Sequence, residues 1–191
     1  MATTQPIRCK KQTNQLAEYF KKLGQVRNYV ITTIGLHTAL RISDVLRIKW
    51  DDVYDFDTGK IIATFEITEK KTGKSKTVTI GRSTIAALTK FAKENANPGK
   101  YLFENPRTAK PITRIQVYRI LRNAAEALRF SIRVSCHSLR KTFGYHAFKS
   151  GASPIVLMDI FNHSSFEITK RYIGISQDDK DAVYLSMELV A

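Results

Sequence analysis

Cysteine is scarce in this chain and scattered where it occurs. The two residues, Cys9 and Cys136, lie far apart without CxxC partners, which argues against a disulfide framework and a zinc knuckle. The four histidines and two cysteines match no metal-ligand spacing either, so no metal is expected. No stretch approaches the roughly eighteen apolar residues of a membrane span, and the segment from Met1 to Lys10 lacks the apolar core of a secretory signal. Internal repeats, low-complexity tracts and Gly/Ser linkers are missing, and there is no P-loop to bind a nucleoside triphosphate. These absences predict a soluble, intracellular (cytoplasmic) chain of one domain, residues 1–191, needing no cofactor. Residues 1–12 read as a flexible arm.

Acid is the other shortage. Seventeen Asp and Glu face 31 Lys and Arg, a formal charge of +14 over 191 residues. Such an excess favours a polyanionic partner, most simply nucleic acid, because neutralising phosphates releases their counterions.

The apolar residues that are present are spaced for helices at both ends of the chain. Leu16, Tyr19, Phe20 and Leu23 recur at helical intervals up to Gly24, and Val26 to His37 repeats the pattern. Ser43 and Asp44 read as N-caps of a short helix carrying Val45, Leu46 and Ile48. The period then falls to two. Ile61, Ala63, Phe65 and Ile67 alternate with polar neighbours, a Lys-rich turn follows, and Val78 and Ile80 share a face. This predicts a small antiparallel sheet of three strands. Helical spacing resumes at Ser83, again after Thr113, and through Leu139, Phe143, Ala147 and Phe148 to Gly151. Ser153-Pro154 reads as cap and first residue of another helix, Asn162 as a left-handed C-cap, and Ser164-Ser165-Phe166-Glu167 as a capping box. Ala182, Leu185 and Leu189 suggest a last short helix. The fold class is α+β, mostly α.

Polar residues collect at the element ends. Arg41 stands where a helix stops, Lys71 on a hairpin tip, and His137 and Arg140 one turn apart. His163 follows a C-cap, with Tyr172 nine residues later. Guanidinium forks bind phosphate oxygens bidentately, imidazoles carry protons, and a phenol is a competent nucleophile once helped past its pKa of about 10. Taken singly, each has a plainer reading: a surface cation, a solvated turn, a structural histidine, a half-buried ring. His37 and His146 keep that plainer reading, as a helix-end and a packed helix-face residue.

Taken together, the residues resemble the tyrosine recombinases, also called the phage integrase family. The resemblance lies in His37-Thr38-Ala39-Leu40-Arg41-Ile42-Ser43-Asp44, Lys71-Thr72-Gly73-Lys74, His137-Ser138-Leu139-Arg140-Lys141-Thr142-Phe143, Asn162-His163-Ser164-Ser165 and Lys170-Arg171-Tyr172. It runs from about Gln12 to Tyr172. Two positions depart from the pattern: Ala39 and Asn162 each stand where the family usually has glycine. The hairpin holds four lysines, Lys70, Lys71, Lys74 and Lys76, and Lys71 is chosen for its Lys-Thr-Gly context.

The resemblance implies a helical catalytic domain with a small three-stranded sheet, acting on double-stranded DNA without metal or ATP and in the service of a mobile element. Tyr172 would attack the phosphate and form a 3′-phosphotyrosine. Arg41 and Arg140 would hold the non-bridging oxygens and Lys71 would protonate the leaving oxygen. His137 would take or position the tyrosyl proton, and His163 would hydrogen-bond the phosphate. Asp44 would orient catalytic side chains. A homotetramer on paired DNA sites is implied, with residues 177–191 docking on a neighbouring protomer. Family members usually carry an N-terminal core-binding domain, and this chain is expected to begin where the catalytic domain would. A DNA-binding module that has retired its chemistry, and a DNA-relaxing enzyme without strand exchange, are the alternatives.

Overall fold

Helix boundaries follow the apolar spacing closely. In the computed structural model, which describes residues 4–95, 98–175 and 177–187, Leu16 and Phe20 are the buried face of α1 (Lys10–Lys22), and Gly24 at φ 66° lets the chain reverse. Leu23, by contrast, falls at the C-cap and is exposed. Helix α2 (Val26–His37) is buried nearly all round, as befits a central helix. Two short helices follow, α3 (Ile42–Val45) and α4 (Trp50–Val53). The N-cap of α3 is Arg41, so Ser43 and Asp44 lie inside the helix and do not cap it. Asp44 is fully buried and uses its carboxylate elsewhere: Oδ1 accepts the Lys70 backbone N–H at 2.9 Å.

The expected three-stranded sheet is instead three separate two-stranded ladders, among the described residues. Strands β1 (Tyr54–Asp55) and β2 (Lys60–Ile61) pair across a turn, as do β5 (Glu104–Asn105) and β6 (Lys110–Pro111). The longest ladder joins β3 (Thr64–Thr68) to β4 (Ser75–Thr79), with Phe65 opposite Val78 and Ile67 opposite Lys76. Ile61 and Phe65 do not share a strand because the chain leaves the ladder at residues 62–63.

Helix α5 (Arg82–Lys93) packs Leu88 and Phe91 inward. Helix α6 (Arg114–Ala127) starts at Thr113, whose hydroxyl accepts from Gln116 N–H while Gln116 bonds back. Helix α7 (Cys136–Lys149) is capped by Ser135, and α8 (Pro154–Phe161) by Ser153 with proline at N1. Asn162 closes α8 in the left-handed conformation, φ 52° and ψ 42°. Ser165 is the N-cap of α9 (Phe166–Ile173), but its side chain makes no capping bond. The expected capping box from Ser164 to Glu167 does not form, because the helix begins one residue later and leaves Glu167 at N2, where it faces Lys170 at 3.8 Å. Helix α10 (Gln177–Ser186) exposes Val183, Tyr184 and Leu185, and Met187 just after it is exposed too; Leu189 lies outside the described residues.

Two apolar cores result. The larger gathers α1–α7 and the strands around Leu16, Ile34, Leu88, Phe103, Leu121 and Leu139. At about 1.5–3 kcal/mol per fully buried large side chain, it dominates the stability. The smaller consists of Ala39, Leu157, Phe161 and Ile173 under α8 and α9. Gly144 on α7 makes their close approach possible: a Cβ there would stand 2.8 Å from the Phe161 ring.

Residues 4–9 are not the loose arm that their composition suggests. Ile7 is fully buried, its N–H donates to Thr142 Oγ1 at 2.8 Å, and its carbonyl meets His146 Nε2 at 3.0 Å. Lys141 Nζ donates to Thr4 O at 2.7 Å, and residues 10–12 already belong to α1. One buried isoleucine and three hydrogen bonds tie the segment to α7.

Candidate active site

The site is built around the start of α7. Ser135 Oγ accepts the His137 N–H at 3.2 Å, which fixes the first turn and points its free amides and positive dipole end at a cleft. One turn on, Arg140 is buried to 1% exposure. Its fork is spread between two backbone carbonyls, Nη1 to Ala39 O at 2.6 Å and Nη2 to Phe161 O at 2.7 Å. Ala39 sits at φ 55°, in the left-handed region, and this turn both aims its carbonyl and delivers Arg41. Asn162 at φ 52° does the same after α8. Both departures from glycine therefore occupy positions where glycine costs nothing and Ala or Asn costs of order 1 kcal/mol.

Two buried carboxylates lie behind the cations. Glu69, with no exposed surface, accepts Arg41 Nη1 on Oε2 at 2.6 Å and the Thr72 hydroxyl on the same oxygen at 2.9 Å. Its Oε1 faces Lys76 at 3.7 Å and Arg140 at 4.0 Å. Burial raises the Glu69 pKa, but the bonds from Thr72 and Arg41 outweigh it and hold the group below its ordinary value. Lys76 Nζ donates to Ile160 O at 2.9 Å, and loss of solvation pushes its pKa down to about 8. Asp44 completes the set. Three cations (Arg41, Arg140, Lys76) thus face two carboxylates (Glu69, Asp44), and a phosphodiester's single negative charge would balance the cluster.

The nucleophile candidate lies across the cleft. Tyr172 is half-buried on α9, and its hydroxyl is 2.6 Å from His137 Nε2. Its ring is bounded by Phe161 at 5.1 Å, His163 at 4.7 Å and the Arg140 guanidinium at 5.7 Å. Desolvation raises the phenol's pKa against the pull of Arg140 and Arg41. His163 stacks on Phe161 and bonds Thr169 Oγ1 through Nδ1 at 2.9 Å. His137 is shielded at its Tyr172 end. Lost solvation first, then the charges of Lys141, Arg140, Arg41 and Lys71, push its pKa down to about 4. His163 is also held at about 4, by desolvation and then by Arg140 and Arg41. Both imidazoles are therefore neutral at pH 7.

A cleft of about 430 Å³ opens over this arrangement, lined by Arg41, Arg114, Tyr118, Ser135, His137 and Arg140. Among the described residues, no three His, Cys, Asp or Glu side chains gather as a metal site requires, and no helix is long and apolar enough to cross a membrane.

Of the six residues singled out in the sequence, Arg41, His137 and Arg140 line this cleft, while Tyr172 adjoins it through His137 and His163 through the Tyr172 ring. Lys71 stands at the exposed hairpin turn, near enough for its charge to depress the His137 pKa. Sequence reasoning passed over Glu69 and Lys76, although the period of two carried the signal. Glu69 continues the inward face of Phe65 and Ile67, and Lys76 that of Val78 and Ile80.

Comparison with known proteins bears on the whole arrangement. The chain is 41% identical over 187 residues to the probable integrase/recombinase YoeC of Bacillus subtilis (strain 168), covering 96% of this chain and 97% of that one. It is 29% identical to tyrosine recombinase XerC of Halalkalibacterium halodurans, over 84% of this chain but 54% of that one. With tyrosine recombinase XerA of Pyrococcus furiosus the identity is 23%, and the match spans 56% of that protein. Against those two relatives the chain thus spans about half their length. In fold it matches a crystal structure of XerA recombinase at TM-score 0.80 and 18% identity, over 100% of this chain and 68% of that one. It also matches a XerH site-specific recombinase bound to its palindromic difH substrate in a post-cleavage complex, at TM-score 0.77 and 17% identity, over 98% and 55%. The signature of the Phage integrase family matches residues 9–178, so the chain belongs to that family, the tyrosine-type site-specific recombinases.

Proposed function

We propose that this chain cuts and rejoins double-stranded DNA through a covalent 3′-phosphotyrosine, with Tyr172 as nucleophile. The observation that carries the proposal is the 2.6 Å contact between the Tyr172 hydroxyl and His137 Nε2, set beside two phosphate-binding guanidinium groups. A neutral His137 with its proton on Nδ1 accepts the phenolic proton on Nε2 as the tyrosyl oxygen attacks phosphorus. The P–O5′ bond breaks, Lys71 gives a proton to the leaving oxygen, and the DNA is left with a free 5′-hydroxyl. Arg41 and Arg140 meet the charge that grows on the non-bridging oxygens. They are already spread and anchored, so little reorganisation is needed at the moment of reaction. His163, with Thr169 donating to Nδ1, presents an Nε2–H to the phosphate. Rejoining is the reverse, with a 5′-hydroxyl displacing Tyr172. The phosphodiester energy is kept in the covalent link, so neither ATP nor a metal is called on.

The remaining proposals concern context. The exposed apolar side chains Val183, Tyr184 and Leu185 on α10, with Met187 just after it, suit docking on a second copy. That arrangement supports a tetramer on paired sites, and integration or excision of a mobile element is the fitting role.

A duplex nicked just beyond the scissile phosphate tests the chemistry, because the short leaving strand diffuses away and traps the intermediate. Wild-type protein should form an adduct stable to denaturant, and Tyr172→Phe should form none while still binding DNA. An adduct that persists in Tyr172→Phe would overturn the assignment, and binding without any adduct would favour the retired-chemistry alternative.

A further inference from the structure

The Lys-rich turn is tied down on both sides of Lys71. On one side, the Lys70 backbone N–H donates to Asp44 Oδ1 at 2.9 Å. On the other, the Thr72 hydroxyl donates to Glu69 Oε2 at 2.9 Å. The turn is also closed on Glu69 through its backbone: Gly73 N–H donates to Glu69 O at 2.9 Å, and Glu69 N–H to Lys74 O at 3.0 Å. Glu69 Oε2 is at the same time the acceptor for Arg41, at 2.6 Å. A single oxygen atom thus ties a phosphate-binding guanidinium to the residue that follows Lys71.

Burying a carboxylate with no exposed surface is costly unless its partners are fixed. Here each partner belongs to a different working part: Arg41 and Arg140 to the phosphate seat, Thr72 to the Lys71 turn, and Lys76 to the C-terminal end of α8 through Ile160 O. Three cations drawn to one anion would repel each other without it. We infer that Glu69 is a positioning residue for DNA cleavage, holding the Lys71 turn in register with Arg41 so that acid and phosphate seat are presented together. The inference rests on the phosphotyrosine reading given above. It assigns Glu69 no contact with DNA.

The physical consequence is specific. With Glu69 removed, or with the Thr72 hydroxyl removed, Lys71 keeps its ammonium group but loses its register. A displacement of about 1 Å in a catalytic group costs on the order of 10²-fold, and general acids contribute about 10²–10⁴-fold. The loss should therefore appear in protonation of the leaving 5′-oxygen. A substrate with sulfur in place of the bridging 5′-oxygen bypasses that need, since a thiol with a pKa of about 8.5 leaves as the thiolate. A purely structural defect would slow both substrates alike.

The test compares Thr72→Val and Glu69→Gln with wild-type protein on matched oxygen and 5′-sulfur duplexes, reading the rate of covalent adduct formation. Thr72→Val changes one exposed hydroxyl on a turn and should fold normally. It should slow the oxygen substrate by about ten-fold or more and restore wild-type rate with sulfur. Glu69→Gln should slow the oxygen substrate by on the order of 10²-fold, with sulfur recovering part of the loss and the remainder belonging to Arg41. Equal losses on both substrates in both variants, or unchanged rates in both, would overturn the role of Glu69. Failure of the wild-type protein to form an adduct on either substrate would instead overturn the cleavage reading beneath it.

Discussion

The two halves of the candidate site are held by very different amounts of protein. Arg41, Asp44 and Glu69 belong to the half built on the large core, which gathers α1–α7 and the β1–β2 and β3–β4 ladders. Tyr172 and His163 ride on α8 and α9, whose buried apolar set is four residues: Ala39, Leu157, Phe161 and Ile173. Arg140 spans the divide. Its neighbour Leu139 is in the large core, while its fork bonds Ala39 O and Phe161 O beside the small one. The phosphate seat must be rigid before substrate arrives, because preorganised charge is what stabilises a transition state. On the proposed mechanism Tyr172 has to approach, attack, stay attached and later leave. A shallow core beneath it allows local motion without loosening the seat.

Equal truncations on the two sides should therefore give unequal results. Leu121 and Leu157 are both fully buried. Leu121→Ala, in the large core, should lower global stability by about 2–5 kcal/mol, read as a shift in the denaturant midpoint. Leu157→Ala should shift that midpoint less, while amide exchange across residues 154–173 accelerates and adduct formation slows. Identical midpoint shifts, with no local loss of protection, would show that the small cluster is not a separate unit.

The seam between the halves offers a smaller perturbation. An alanine Cβ at Gly144 would stand 2.8 Å from Phe161 Cζ and 3.4 Å from the Tyr172 carbonyl oxygen. Phe161 is fully buried and cannot swing away. Gly144→Ala should cost about 1–3 kcal/mol, as overpacking does, and should displace α8 and α9 outward. Adduct formation should then fall further than DNA binding, because binding depends chiefly on cations held by the other half. At Gly35, by contrast, a Cβ would meet the Leu139 side-chain end at 2.6 Å, a contact within the large core. Gly35→Ala should therefore lower stability without the same bias against cleavage.

Much of the fold is legible in the sequence, though the contrast between the two cores is not. Helical spacing located α1, α2, α6 and α7, and the punctuation at Gly24, Thr113, Ser153-Pro154 and Asn162 was readable because each cap has its own chemistry. Five of the six site residues converge as their order along the chain suggested. Most of the errors share one cause, side chains whose role is decided by distant partners, and the exception is local. Asp44 reads as a cap but is drawn to Lys70, 26 positions away. Ser164 and Glu167 fit a capping box by spacing, yet the helix takes the next serine, Ser165, as its N-cap. The N-terminal segment offers no periodic apolar pattern, yet Pro6 and Ile7 are both buried and the Thr142 hydroxyl accepts the Ile7 N–H, which pins it. Glu69 and Lys76 were visible on the inward faces of their strands. A Lys-rich turn draws attention to its tip, whereas the charges that matter for its position point back into the protein.

Acid should expose the difference between the halves most gently. The phosphate seat is built on guanidinium groups; Arg140 is pushed down to about 10 by burial and remains charged at neutrality. The nucleophile side carries His137 and His163, both held at about 4 against an unfolded value near 6.5. Between those values the unfolded chain binds more protons than the folded one, so stability falls as pH drops from about 6.5 to about 4 and levels off below. His137 is open to solvent, so its share is discounted, and His163→Asn should remove more of the slope than His137→Asn. Denaturant midpoints of the DNA-free protein at a series of pH values measure this directly. Adduct formation should follow a different curve, staying level from pH 7 to about 5 and failing only as His137 takes a proton of its own and can no longer accept one from Tyr172. A cleavage rate that halves near pH 6.5 would mean that the imidazole is as accessible to protons as a free one, and that the nucleophile side is looser than even its small core implies.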